Sequence, residues 1–168
     1  MINSVFRALL VLSLGFVISI AFAASAQAQL AKRGTYSGEF GWHSQGETVA
    51  LPDEGNSYWM GQFNGVFFNH SGSGFLHSAS VICPAAGSVL EAGNFYGGQC
   101  IVTDQDGDKL VLTWTCSFDA TGKCAGMAKW MHGTGKYTGI SGGHTFVAFM
   151  IHKGPQGHAT WKGEWRLP

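Results

Sequence analysis

Residues 110–118 alternate more cleanly than any other part of the chain. Leu110, Leu112, Trp114, Cys116 and Phe118 fall on one parity, and Val111, Thr113, Thr115 and Ser117 on the other. A period of two belongs to a strand with one face against a core and one toward water. Strand-like runs of similar length recur at 34–43, 57–70, 75–83, 95–103, 124–132, 143–152 and 157–166. In the first of them Tyr36, Phe40 and Trp42 share a parity. Between the runs stand turn signals: Ser71-Gly72-Ser73-Gly74, Asp104-Gln105-Asp106-Gly107-Asp108 and Lys153-Gly154-Pro155-Gln156. An Asp-Gly pair flanked by alternating segments is a strong hairpin signal. The polar stretch 44–56 and the small, glycine-containing stretch 84–94 read as loops.

No stretch of helical length carries a 3.6-residue apolar period. Eight strands joined mostly hairpin to hairpin predict an all-β fold, an eight-stranded antiparallel up-and-down barrel. Its closing pair is the first and last strands, with Tyr36, Phe40 and Trp42 facing Trp161 and Trp165 across the seam. The long run 57–70 is expected to bend at Gly61 or Gly65. A barrel of this size is either filled by side chains or just holds one small ligand.

The stretch Gly133-Thr134-Gly135-Lys136-Tyr137-Thr138-Gly139-Ile140-Ser141-Gly142 has too many glycines for a helix interior. It reads as a tightly packed corner between two strands, where glycine allows positive φ or close backbone approach.

The N-terminus is read apart from the barrel. Arg7, a nearly unbroken apolar run from Ala8 to Ala23, and Ala26-Gln27-Ala28 form the three parts of a secretory signal peptide. The run is short for a membrane span and no stop-transfer charges follow it. Residues 1–28 are therefore assigned as a signal peptide and 29–168 as a single barrel domain, periplasmic or secreted, with no membrane span after cleavage. Arg7 is the one basic residue of the leader, which leaves nine Lys and Arg against ten Asp and Glu in the domain. No basic patch is present, so nucleic acid and anionic membrane are not expected partners.

All four cysteines, Cys83, Cys100, Cys116 and Cys124, lie in the domain. An even count after an export signal points to two disulfides, and four cysteines allow three pairings. A hairpin centred on Ala120 sets Cys116 opposite Cys124, which leaves Cys83 with Cys100. No Cys-x-x-Cys or Cys-x-x-His spacing suggests zinc.

Seven histidines, at 43, 70, 77, 132, 144, 152 and 158, fall mostly near predicted strand ends, which in a barrel form the rims. Such histidines are either rim groups for a ligand, a proton or a copper or zinc ion shared with Met131 or Met150, or exposed caps without special chemistry. Trp114 and Trp130 fall on one hairpin face. With Tyr58, His70, His144 and Phe146 they are the expected ligand-binding residues of an apolar pocket, the alternative being a solid core. Asp104, Asp106 and Asp108 imitate the start of a calcium loop, but the loop is too short and lacks the far glutamate, so a hairpin turn is preferred. No activated nucleophile, phosphate loop or identifiable carboxylate pair occurs, and no cofactor is expected.

The segment from Gly133 to Gly142 resembles the Gly-[Ser/Thr]-Gly-x-[Phe/Tyr]-x-Gly-x-x-Gly segment of allene oxide cyclases and dirigent proteins. It is closer still to small secreted bacterial members of that barrel superfamily. The hairpin from Asp104 to Lys109 and the closing Gly163-Glu164-Trp165-Arg166-Leu167-Pro168 are similar to theirs. The resemblance covers roughly Cys100 to Pro168; the first half matches in strand rhythm only. It implies an eight-stranded, calycin-like barrel of the allene oxide cyclase type with a pocket at its mouth. Glu39 is the loose counterpart of a cyclase glutamate, but Ser37-Gly38-Glu39-Phe40-Gly41 does not reproduce the cyclase pattern and the dirigent aspartates have no match. The cyclase activity is therefore not carried over. The leading expectation is an exported barrel binding one small, mostly apolar or aromatic molecule. Its rivals are a cofactor-free isomerase or cyclase, in which Glu39 or a histidine such as His77 moves a proton, and a packed structural barrel without a ligand.

Overall fold

The structure is a computed structural model that describes residues 30–90, 93–152 and 154–168. The assigned signal peptide lies outside the described residues. Eight strands follow one another as β1 (Arg33–Ala50), β2 (Ser57–Asn69), β3 (Ala79–Leu90), β4 (Gly93–Thr103), β5 (Lys109–Phe118), β6 (Lys123–Gly133), β7 (Ser141–Met150) and β8 (Gln156–Arg166). Each pairs antiparallel with the next, and β1 pairs with β8 to close the barrel. At the seam Trp161 lies opposite Gly38 and Trp165 opposite Gly34, so the large rings of β8 fill the space that β1 leaves beside its own Tyr36 and Phe40. Closure pairs every edge, which removes the unpaired strand borders that invite aggregation.

Three segments depart from the sequence expectation. The supposed loop 44–56 is strand as far as Ala50, paired with β2 down to Ala50 opposite Ser57. This end of the hairpin has exposed side chains on both parities, so its sequence shows no apolar period although its backbone ladder is complete. The supposed loop 84–94 is mostly β3 running on to Leu90. Its small residues answer a packing demand: a side chain at Gly87 would stand 2.3 Å from the Tyr96 ring on β4. Conversely Phe75, expected in a strand, lies in the connection before Ala79, where Leu76 and Ser78 take φ of 56° and 57°.

That connection plugs one end of the barrel. Phe75 stacks on Trp165 with centroids 4.2 Å apart, and Leu76 is 1 % exposed. The plug is held by buried Asn69, whose Nδ2 donates to the Phe75 carbonyl at 3.0 Å while its Oδ1 accepts from the Ser71 N–H and hydroxyl. A buried amide without such partners would be costly, so Asn69 fixes the turn as much as the rings do.

The glycine corner seals the same end. A single 3₁₀ turn, Gly135–Tyr137, drives the Tyr137 ring inward to 2 % exposure. The Tyr137 hydroxyl donates to Asp104 Oδ2 at 2.8 Å, and Lys136 Nζ bridges Asp104 and Asp106. Partial burial pulls the Lys136 pKa down, but its hydrogen bonds to Asp104 and Asp106 outweigh this and hold it above the ordinary lysine value. The aspartate spacing that imitates a calcium loop thus carries a lysine as its cation, and the Lys136 N–H donates to Asp108 as well.

Gly139 sits at φ 77°, with space for a Cβ closed off by Pro168 Cγ at 2.6 Å. Gly139→Val should therefore lower stability by about 1–3 kcal/mol through left-handed strain and the clash together. A thermal midpoint equal to wild type within error would show that the corner does not need its glycine there.

Candidate functional site

The far end of the barrel is built differently. Inward positions of the closed half are sealed, whereas Trp42, Trp59, Phe63, Tyr96, Trp114 and Phe118 are all only partly buried. They surround a cavity of about 180 Å³ toward the end of the barrel where β1, β3, β5 and β7 finish. The alternation of each strand delivers these side chains: Phe40, Trp42 and Ser44 from β1, and Leu112, Trp114, Cys116 and Phe118 from β5. The rings brace one another. Trp42 meets Phe63 edge-on at 4.9 Å, Tyr96 meets Phe118 at 5.2 Å, and Trp114 meets Phe146 at 5.9 Å.

Both disulfides lie in the wall. Cys83–Cys100 joins β3 to β4 and Cys116–Cys124 joins β5 to β6, and all four residues border the cavity. The expected pairing is the one present, but the hairpin is centred on Thr121 and not Ala120: Cys116 lies opposite Gly126 and Cys124 opposite Phe118, so that bond is diagonal. None of the described residues that border the cavity is charged.

The floor is formed by Phe40, Trp161 and His144. His144 is 6 % exposed and stacks on Trp161 at 4.4 Å with the planes 17° apart. Its Nδ1 is 2.6 Å from the Tyr36 hydroxyl, which comes from the packed half of the barrel. Burial holds the His144 pKa down at about 3 and pushes that of Tyr36 well up, so both groups are neutral at pH 7. In the wall, Trp114 Nε1 is buried without a hydrogen-bond partner among the described residues, its ring edge-on to Phe63 and Phe146.

The structure thus brings three of the six expected ligand-binding residues, Trp114, His144 and Phe146, to one cavity. Trp130 also points inward but belongs to the packed half, where its Nε1 donates to the Glu164 carbonyl and its ring meets Tyr36 and Phe75. Tyr58 is exposed on the outer side of the β1–β2 hairpin. His70 is on the outer wall, with Nδ1 3.2 Å from Ser37 Oγ and Nε2 3.4 Å from Glu39 Oε1. Glu39, which also accepts from the Thr160 hydroxyl at 3.2 Å, belongs to this half-exposed cluster and does not border the cavity. His77 packs its ring against outward-facing Phe68 near the plugged end. The seven histidines do not converge: His43, His70, His132, His152 and His158 are exposed, His77 is half-buried, and only His144 borders the cavity.

Sequence reasoning missed the mouth aromatics Trp42, Trp59, Phe63 and Tyr96 as lining residues, and Tyr36 as the partner of His144. Trp42 carried a signal, since it shares the parity of Tyr36 and Phe40.

No family model matches the chain, and no curated protein matches it. Among solved structures it is similar to the crystal structure of a protein of unknown function from the DUF3224 family of Shewanella oneidensis MR-1. The identity is 14 %, the match covers 78 % of this chain and 96 % of that one, and the TM-score is 0.54. At that identity the likeness concerns the fold alone.

Proposed function

We propose that this chain is an exported barrel that binds one small, mostly apolar or aromatic molecule in its interior. The observation that carries the reading is the half-hollow interior: an aromatic-walled cavity of about 180 Å³ with an open mouth, bordered by no charged side chain among the described residues, in a barrel whose other half is packed. An apolar cavity of about 150 Å³ is already enough to bind benzene. Kinship with the allene oxide cyclase and dirigent barrels, suggested by the corner at Gly133 to Gly142, is part of the same proposal.

Native mass spectrometry of protein purified from its own host tests it. A bound species in the mass range of a one- or two-ring compound, released on denaturation, is the expected result. An empty protein whose melting temperature no small aromatic compound raises would overturn the reading and leave a structural barrel.

The isomerase or cyclase reading has less support. Glu39 and His77 lie away from the cavity, and His144 is a poor base. With its pKa near 3, charging it at pH 7 costs about 5 kcal/mol.

Export is supported by the two disulfides, which persist in oxidising compartments. Among the described residues no helix is long and apolar enough to cross a membrane. Residues 1–28 fused to a reporter that is active only outside the cytoplasm should carry it there; a reporter that stays inside would contradict the leader assignment.

A further inference from the structure

We infer that Tyr36 fixes His144 as a hydrogen-bond donor at the cavity floor, and that the molecule accepted there is neutral, aromatic and tipped with a hydrogen-bond acceptor such as a ketone or aldehyde oxygen. The inference rests on the binding reading above and specifies its chemistry.

Tyr36 lies in the packed half of the barrel. Its ring is 5 % exposed, surrounded by Phe67, Phe75, Trp130 and Trp165, and His144 Nδ1 is the hydrogen-bond partner of its hydroxyl. A phenol hydroxyl carries one proton to donate. Were the imidazole proton on Nδ1, it would point at the phenol oxygen, and the Tyr36 O–H would be left among rings with no acceptor. Burying an unpaired hydroxyl is unfavourable, so the phenol donates, Nδ1 accepts, and the ring proton sits on Nε2.

Nε2 has no hydrogen-bond partner among the described residues. It is also not one of the buried polar atoms closed off by protein, which are His77 Nδ1 and Trp114 Nε1. Since His144 borders the cavity and its other faces meet Trp130 and Trp161, the free N–H is left for the cavity's contents. Stacking on Trp161 fixes the plane of the ring and with it the direction of the donor.

The rest of the wall narrows the ligand further. The tryptophans that border the cavity have no acceptor to offer, since an indole N–H can only donate. The Ser44 hydroxyl, near the mouth, is spent on the Pro155 carbonyl at 3.1 Å. No charged side chain borders the cavity among the described residues, so a carboxylate or an ammonium group would be buried without a counter-charge. Burial also keeps His144 itself uncharged, which removes any attraction for an anion. What fits is a flat neutral molecule that stacks among rings and offers an oxygen to one N–H.

The test compares two nearly isosteric probes, acetophenone and α-methylstyrene, by calorimetry on the purified protein and on His144→Phe. The substitution should weaken acetophenone about tenfold more than α-methylstyrene, the loss of one hydrogen bond. Benzoate at pH 7 should not bind. Equal effects on the two probes, or tight benzoate binding, would overturn the donor assignment and leave the binding reading standing. Failure of the wild-type protein to bind either neutral probe would count against the binding reading itself, and the inference falls with it. A second measurement does not depend on the variant folding: imidazole nitrogen shifts of His144 in the wild-type protein should show Nε2 protonated and Nδ1 bare. The reverse tautomer overturns the proposal.

Discussion

Between pH 7 and pH 4.5 the barrel is expected to lose about 2–3 kcal/mol of stability through His144 alone, and about 4 kcal/mol by the time the pH reaches 3. The sign follows from the direction of the shift. Burial lowers the folded-state pKa to about 3, while in the unfolded chain the imidazole titrates near its ordinary value of 6.5. As the pH falls through 6.5 the unfolded state gains a proton that the folded state refuses, and the unfolded state is favoured by that difference. The loss continues until the folded form also protonates, near pH 3. Urea unfolding midpoints at pH 7, 6, 5 and 4.5 would measure it, with His144→Phe as the reference. The upper window matters because Asp119 also titrates abnormally. The Thr121 hydroxyl and the Lys123 N–H hold its pKa below the usual carboxylate range, so its contribution disappears only at lower pH. A variant whose stability falls with pH as steeply as the wild type would show that His144 is not buried as a neutral group.

Removing both disulfides is the second large effect. Cys83–Cys100 spans a sequence separation of 17 and Cys116–Cys124 one of 8. The chain-entropy model assigns loops of that size about 3 and about 2.5 kcal/mol. Small domains have about 5–15 kcal/mol in total, so losing both crosslinks removes a large share of it. The wall position of the four residues adds to the effect, since four alanines would enlarge a cavity already present. Replacing one pair should lower stability by about 2–3 kcal/mol and leave a folded barrel, whereas replacing both should leave the chain largely unfolded at 37 °C. Non-reducing peptide mapping of the wild type should recover both linked pairs. A four-alanine chain that melts within a few degrees of wild type would mean that the packed half holds the fold without them.

Alternation and turn chemistry are local, and what they govern was readable along the chain. The period of two over 110–118 named Leu112, Trp114 and Cys116 as one face, and that face is the inner one. The hairpin between Phe118 and Cys124 brought Cys116 and Cys124 within disulfide reach, because a tight turn keeps its two strands in a near register, although the bond runs diagonally between them. The glycine corner was legible for the same reason: positive φ at Gly135, Gly139 and Gly142 is a demand of the local backbone.

Depth along the barrel was not local. Trp114 and Trp130 lie on the same inner surface, yet one walls the cavity and the other packs the closed half. Which half a residue occupies is set by the stagger of all eight strands, summed around the closed sheet, together with the bulge between Val111 and Leu112 that shifts β5 against β6. Stretches 44–50 and 84–90 became strands because their neighbours offered complete hydrogen-bond ladders, a condition their own side chains do not record. His144 was one of seven histidines in the sequence. Its isolation from water, its neutral state and its contact with Tyr36, 108 residues away, arise only when β7 and β1 lie on either side of β8, where Tyr36 and His144 both stand opposite Gly163, because desolvation and side-chain partnership are properties of surroundings that no single strand supplies.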